Sequence, residues 1–180
     1  MPLALAQSRG ELCGLNENDV DFINNRLTIQ RARYVESNLK DDETKNITSH
    51  RTISIPDSII NDIKLLLAYY DDRKNKLGSN WKNSPALLKS PTGGPIYPQS
   101  IYRYFSRIQK KYNLKHITLH GLRHTHISML ISSGELDIKE VSSRAGHSQT
   151  STTMNIYAHL FKNNDDEIGK DLEEKYFKNK

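Results

Sequence analysis

Cysteine is all but missing from this chain of 180 residues: Cys13 stands alone, which excludes an intrachain disulfide and a cysteine zinc site. A reducing compartment is the simple reading, so the cytoplasm is the expected location. Long apolar runs are missing too. The opening MPLALAQSRGEL turns polar too soon for a signal peptide, and no stretch approaches the roughly 20 apolar residues of a membrane span. There is no Gly-rich phosphate loop and no run of carboxylates suited to two-metal nuclease chemistry. Ser128, Ser132 and Ser133 lack the G-x-S-x-G setting of a serine hydrolase. His120 and His124 are four apart like a zincin pair, with His126 beyond them, yet Gly121 stands where H-E-x-x-H needs glutamate. A metal hydrolase therefore has no support, and no cofactor is expected.

What is present is positive charge in one place. The chain holds 26 Lys+Arg against 21 Asp+Glu, a formal excess of +5 that suits a polyanionic partner but is common in soluble proteins. Its distribution says more. From Ile101 to His126 the sequence carries Arg103, Arg107, Lys110, Lys111, Lys115 and Arg123 without a single Asp or Glu. Such a one-signed stretch is the footprint expected where a phosphate backbone lies, with Arg103, Arg107, Lys110 and Lys111 as its candidate contacts.

The length fits one domain with a real core. Leu5, Leu12 and Leu15 predict a helix over Leu3–Leu15, interrupted at Gly14 and Asn16. Asp21-Phe22-Ile23, the turn residues Asn24-Asn25 and Leu27-Thr28-Ile29 predict a hairpin. A third strand is expected at Arg51–Ile55, closed by Pro56, with polar Glu36–His50 as a long exposed hairpin loop. Ile59, Ile60, Ile63, Leu66 and Leu67 then recur at helical spacing as far as about Tyr70. Pro91-Thr92-Gly93-Gly94-Pro95 is a loop, and Pro98 opens a basic helix through Tyr112. Further helices are expected at Gly121–Ser132, Ile138–Ala145, Thr150–Leu160 and Asp165–Phe177. The fold class is α+β, mainly helical, with a small three-stranded antiparallel sheet.

The chemistry-bearing side chains cluster in two segments. His120-Gly-Leu-Arg123-His124 and AGHSQTSTTMNIYAHL, together with Lys45 in the polar loop, supply a phenol, imidazoles, a guanidinium and an amine. This set can attack a phosphodiester without a metal. Tyr157 is the candidate nucleophile, and with an ordinary pKa of about 10 it needs a base or nearby cations. His120 and Arg123 are three apart and share a helix face, where the guanidinium can grip two phosphate oxygens. His147 precedes the start of a helix, a position that favours an anion. Lys45 can deliver a proton to the departing sugar oxygen.

HGLRHTHISMLISSG followed by SSRAGHSQTSTTMNIYAHL resembles the catalytic domain of tyrosine recombinases, the phage-integrase family. That family's H-x-x-R, G-H/W and nucleophilic tyrosine fall on His120, Arg123, His147 and Tyr157. Its lysine maps by register onto Lys45, with Lys40 in the same loop. The resemblance runs from RGELCGLNENDVDF onward, over nearly the whole chain. It implies a catalytic domain over 1–162 and a C-terminal helical tail over 163–180, without the N-terminal core-binding domain that members usually carry. It also implies site-specific recombination or integration of double-stranded DNA through a 3′-phosphotyrosyl intermediate, on a tetramer assembled at the recombination sites, with Arg103, Arg107, Lys110 and Lys111 lining the DNA groove. One family arginine is out of place: the position two before Gly10 is Ser8, and Arg9 comes one residue later, about 100° round a helix. Met1–Ser8 would then reflect a truncated or altered start. Two alternatives stay open, a non-catalytic DNA-binding remnant and a type IB topoisomerase-like enzyme that relaxes DNA within one duplex.

Overall fold

The computed structural model describes residues 8–33, 42–43 and 50–158. The first helix among the described residues, α1 (Arg9–Gly14), has extended Ser8 as its N-cap, while the predicted start at Leu3 lies outside the described residues. The Ser8 hydroxyl accepts from the Glu11 N–H at 3.2 Å, and the Glu11 carboxylate accepts from the Ser8 N–H at 2.8 Å. This reciprocal capping satisfies two N–H groups that a helix start would otherwise leave open. Leu15 leaves the helix in an extended conformation.

The predicted hairpin forms, with shorter strands. Strand β1 (Val20–Asp21) pairs antiparallel with β2 (Arg26–Ile29), Val20 opposite Leu27. The Asp21 carboxylate accepts from the backbone N–H of Ile23 and Asn24 at 2.9 and 3.0 Å, which turns the chain early and leaves Ile23 in solvent. After β3 (Arg31–Ala32) and β4 (Asp42–Glu43), β5 (Arg51–Ser54) returns along the other edge of β2, Leu27 opposite Ile53. The three-stranded sheet thus has the order β1-β2-β5. Leu27, Ile29 and Ile53 point inward, while Thr28 and Thr52 meet on the outer face at 3.1 Å. The segment read as one open loop differs in part: Asp42–Glu43 ladder onto Arg31–Ala32. Lys45 and Lys40 lie outside the described residues.

Helix α2 (Asp57–Leu77) runs seven residues past Tyr70. The extension is polar, with a Lys76–Asp72 pair at 2.6 Å one turn apart, and it stops at Gly78 with φ 53°. Helix α3 (Pro98–Lys111) keeps the predicted N1 proline. Helix α4 (Leu119–Ser133) starts two residues before the predicted Gly121, because the Thr118 hydroxyl caps the Gly121 N–H at 2.9 Å. Helix α5 (Ile138–Ala145) has the predicted limits, set by an Asp137/Glu140 capping box and a left-handed Gly146. Helix α6 (Thr150–Tyr157) closes the description at Ala158, so the tail over 163–180 lies outside the described residues.

The apolar residues divide into two cores. One joins the sheet, α1 and α2 through Leu12, Leu15, Leu27, Ile29, Ile53, Ile60 and Ile63. The other joins α4, α5 and α6 through Ile127, Val141, Ala145 and Tyr157. Burying such side chains contributes about 1.5–3 kcal/mol each. Between the cores runs a polar seam, and the chemistry lies along it.

Candidate active site

Glu11 of α1 and Arg51 of β5 form the seam's inner pair, at 2.7 Å, with both side chains almost wholly out of solvent. Arg51 Nε also donates to the Ala145-preceding carbonyl, Arg144 O, at 3.0 Å, and Arg144 in turn donates to Ser54 O at 3.0 Å. The sheet and α5 are thereby locked together by guanidinium-to-carbonyl bonds. Gly146 follows directly, at φ 75°, and a Cβ there would stand 2.3 Å from the Arg51 guanidinium. Only glycine allows this turn to sit on the buried arginine. Burial alone would push the Glu11 carboxyl up, but Arg51, the Ser8 N–H and Arg123 together hold it below the usual carboxylate range.

Arg123 projects from α4 into the same seam. Its guanidinium donates to Ala145 O at 2.6 Å and lies 3.9 Å from the Glu11 carboxylate. Burial lowers its pKa, Glu11 works in the other direction, and Arg51 adds repulsion. Two residues beyond Ala145, His147 shares a 2.7 Å hydrogen bond between Nδ1 and the fully buried Thr153 hydroxyl of α6. Burial, then the charges of Arg123 and Arg51, lower the His147 pKa, which favours the neutral ring near pH 7.

Tyr157 completes the set from the end of α6. It is only 2 % exposed, and its Oη lies 2.5 Å from His124 Nδ1. The other ring nitrogen, His124 Nε2, lies 2.8 Å from His120 Nε2, with the two imidazoles edge to face. Burial raises the Tyr157 pKa, against a smaller lowering by Arg123, so the phenol holds its proton at neutral pH. Burial, His120 and Arg123 lower the His124 pKa.

Of the residues expected from the sequence, the fold therefore brings His120, Arg123, His147 and Tyr157 to one place. Ser8 and Arg9 line a cleft of about 500 Å³ with His120 and the start of α3 at Pro98 and Gln99. Both Arg9 and Ser8 thus reach the site's edge, although their helical directions differ. Arg103, Arg107, Lys110 and Lys111 are exposed along α3, which packs beside α1. The sequence pattern does not single out Glu11, Arg51, Arg144 or Thr153, and it offers His124 within the chemistry-bearing segment and as a zinc-ligand candidate. Helical spacing puts His120 and His124 on one face, which was the available signal for their pairing. Glu11, Arg51 and Arg144 meet across long stretches of chain and leave no local pattern, whereas Thr153 lies six residues from His147.

Comparison with known proteins identifies the family and the fold. A model of the phage integrase family matches residues 4–164. The integrase of Staphylococcus phage L54a is 31% identical over 173 residues, covering 91% of this chain and 47% of that protein. The XerC-like tyrosine recombinase of Caldanaerobacter subterraneus subsp. tengcongensis is 30% identical over 167 residues, covering 84% and 42%. The chain thus spans somewhat less than half the length of these relatives. Among solved structures, the Tn1549 transposon integrase in complex with a circular intermediate DNA superposes with a TM-score of 0.74 at 24% identity, over 94% of this chain and 56% of that one. XerA recombinase gives a TM-score of 0.64 at 24% identity, over 94% and 54%. The small antiparallel sheet and the helices around it have the tyrosine recombinase catalytic-domain fold, and this chain belongs to the phage integrase family.

Proposed function

We propose that the chain is the strand-cleaving part of a site-specific DNA recombinase. The observation that carries this reading is the convergence of Tyr157, His124, His120, Arg123 and His147 on one polar seam flanked by the basic helix α3. Arg123 and His147 hold the non-bridging oxygens of the scissile phosphate and stabilise the charge that develops on them. Tyr157 Oη attacks phosphorus, the 5′ oxygen departs with a proton from Lys45, and His120 assists proton transfer. The 3′-phosphotyrosyl ester conserves the bond energy, so a 5′-hydroxyl from a partner strand can reverse the step on a new junction. Arg103, Arg107, Lys110 and Lys111 lie along the DNA backbone.

The catalytic domain spans 1–162 and is followed by a C-terminal tail over 163–180, and the working assembly is a tetramer in the cytoplasm. No helix among the described residues is long and apolar enough to cross a membrane. The named relatives are integrases and recombinases, which supports strand exchange over relaxation within one duplex and over a remnant without catalysis. The test uses a nicked suicide duplex carrying the boundary sequence of the genetic element that encodes the chain. A covalent adduct should form, persist in EDTA and vanish in Tyr157→Phe, while DNA binding survives. An adduct undiminished in that variant would sink the assignment.

A further inference from the structure

We propose that His124 is the catalytic base that takes the proton from Tyr157, with His120 as the second member of a two-imidazole relay. This rests on the recombinase reading above. The geometry is a continuous line: Tyr157 Oη to His124 Nδ1 at 2.5 Å, then His124 Nε2 to His120 Nε2 at 2.8 Å. Each ring nitrogen of His124 is thus committed, one to the nucleophile and one to the outer histidine. The phenol is buried and holds a proton, and His124 Nδ1 is its hydrogen-bond partner among the described residues. A buried hydroxyl hydrogen needs an acceptor, and this one supplies it. That fixes the tautomers: His124 carries its hydrogen on Nε2, and His120 accepts there and carries its own on Nδ1.

The step balances. The O–H bond of Tyr157 breaks as its electron pair forms the Oη–P bond, and the P–O5′ bond breaks with its pair leaving on the 5′ oxygen, which is protonated by the acid on the far side. The phenolic proton goes to His124 Nδ1, the His124 Nε2 proton goes to His120 Nε2, and exposed His120 releases its Nδ1 proton to water. No oxidant, metal or nucleotide enters. The groups facing His124 are His120 and Arg123 on its own helix, Tyr157 on α6 and His147 on the turn before α6, with Glu11 of α1 behind Arg123. Burial first, then His120 and the Arg123 charge, lower the His124 pKa and keep the ring neutral and ready to accept. Arrival of a phosphate anion beside Arg123 offsets that charge and strengthens the base when the substrate is in place. The ordinary alternative is that His124 only holds α6 against α4.

Two readouts on the full chain separate these roles. Long-range nitrogen–proton NMR of the histidine side chains should find His124 hydrogen-bearing at Nε2 and bare at Nδ1, with the Nδ1 signal shifting in Tyr157→Phe. A hydrogen on His124 Nδ1 would overturn the proposal whether or not the chain cleaves DNA. On the suicide duplex, His124→Asn keeps a short polar group facing Tyr157, so folding and docking survive, yet adduct formation should fall by about 100-fold or more. The residual rate should rise about tenfold per pH unit below the phenol pKa, because bulk solvent must then ionise the tyrosine. A 5′-bridging sulfur, which departs without a proton, should not restore it, whereas it should restore Lys45→Ala. Undiminished cleavage by His124→Asn, or its rescue by the sulfur substrate, refutes the relay. No adduct from the unaltered chain refutes the recombinase reading instead, and the NMR result then decides the relay separately.

Discussion

Replacing Ser8 with arginine tests whether the cleft beside His120 lacks a guanidinium at its mouth. Ser8 lies at the mouth of the cleft that also holds His120, and the Glu11 it caps reaches toward Arg123. A guanidinium there would add a charge-assisted donor to the charge developing on the phosphate, and one such preorganised donor typically contributes about 100- to 1000-fold in rate. The cost is local. The hydroxyl that caps the Glu11 N–H is lost, which destabilises by about 1 kcal/mol, while the backbone Ser8 N–H to Glu11 bond remains possible. The rate gain therefore outweighs the stability loss, and Ser8→Arg should raise the initial rate of covalent-adduct formation on the suicide duplex. Arg9→Ala should change little beyond modest DNA affinity. Both variants should be repeated in a protein extended with a DNA-clamping domain, since weak DNA capture lowers adduct yield in the same direction. The reasoning is refuted if Arg9→Ala abolishes cleavage while Ser8→Arg leaves it unchanged, for then Arg9 already supplies the guanidinium.

Three further outcomes follow from the seam and the basic helix. Glu11→Ala removes the carboxylate paired with buried Arg51, so chemical denaturation should show a loss of about 3–5 kcal/mol. The Glu11 pKa is depressed in the fold, so its contribution is present above the unfolded carboxyl value of about 4.3 and disappears as pH falls through the lower folded value. The wild-type acid transition should therefore be steeper than that of Glu11→Gln, and equal slopes would contradict the shift. Gly146→Ala combines a left-handed backbone with a Cβ 2.3 Å from a pinned guanidinium. Backbone strain alone costs about 1–3 kcal/mol, so the melting temperature should drop, and a neutral result would mean that the turn does not rest on Arg51. Arg107→Ala with Lys110→Ala should weaken DNA binding evenly across sequences and reduce the slope of log affinity against log salt by about 2, one unit per lost phosphate contact; an unchanged slope would move the DNA off α3.

Local chemistry was legible where neighbours in sequence decide it. Asp137 with Glu140 sets the start of α5 and Gly146 its end, so Ile138–Ala145 follows from the sequence. Alternation of Leu27, Ile29 and Ile53 gave the inward faces of the strands, and the spacing of His120 and Arg123 gave a shared helix face. Where a side chain competed for the backbone, the periodic reading overran: the Asp21 carboxylate cut the hairpin strand short. The site itself was decided at long range. Glu11 meets Arg51 across 40 positions, Arg51 meets the Arg144 carbonyl across 93, and Tyr157 meets His124 across 33. Sequence supplied the residue types, because a phenol, imidazoles and guanidinium groups in that order already specify the chemistry. Only the packing of two apolar cores against each other decided that the carboxylate of α1 would orient Arg123, and that the tyrosine's hydroxyl would be buried on a histidine with a second histidine behind it.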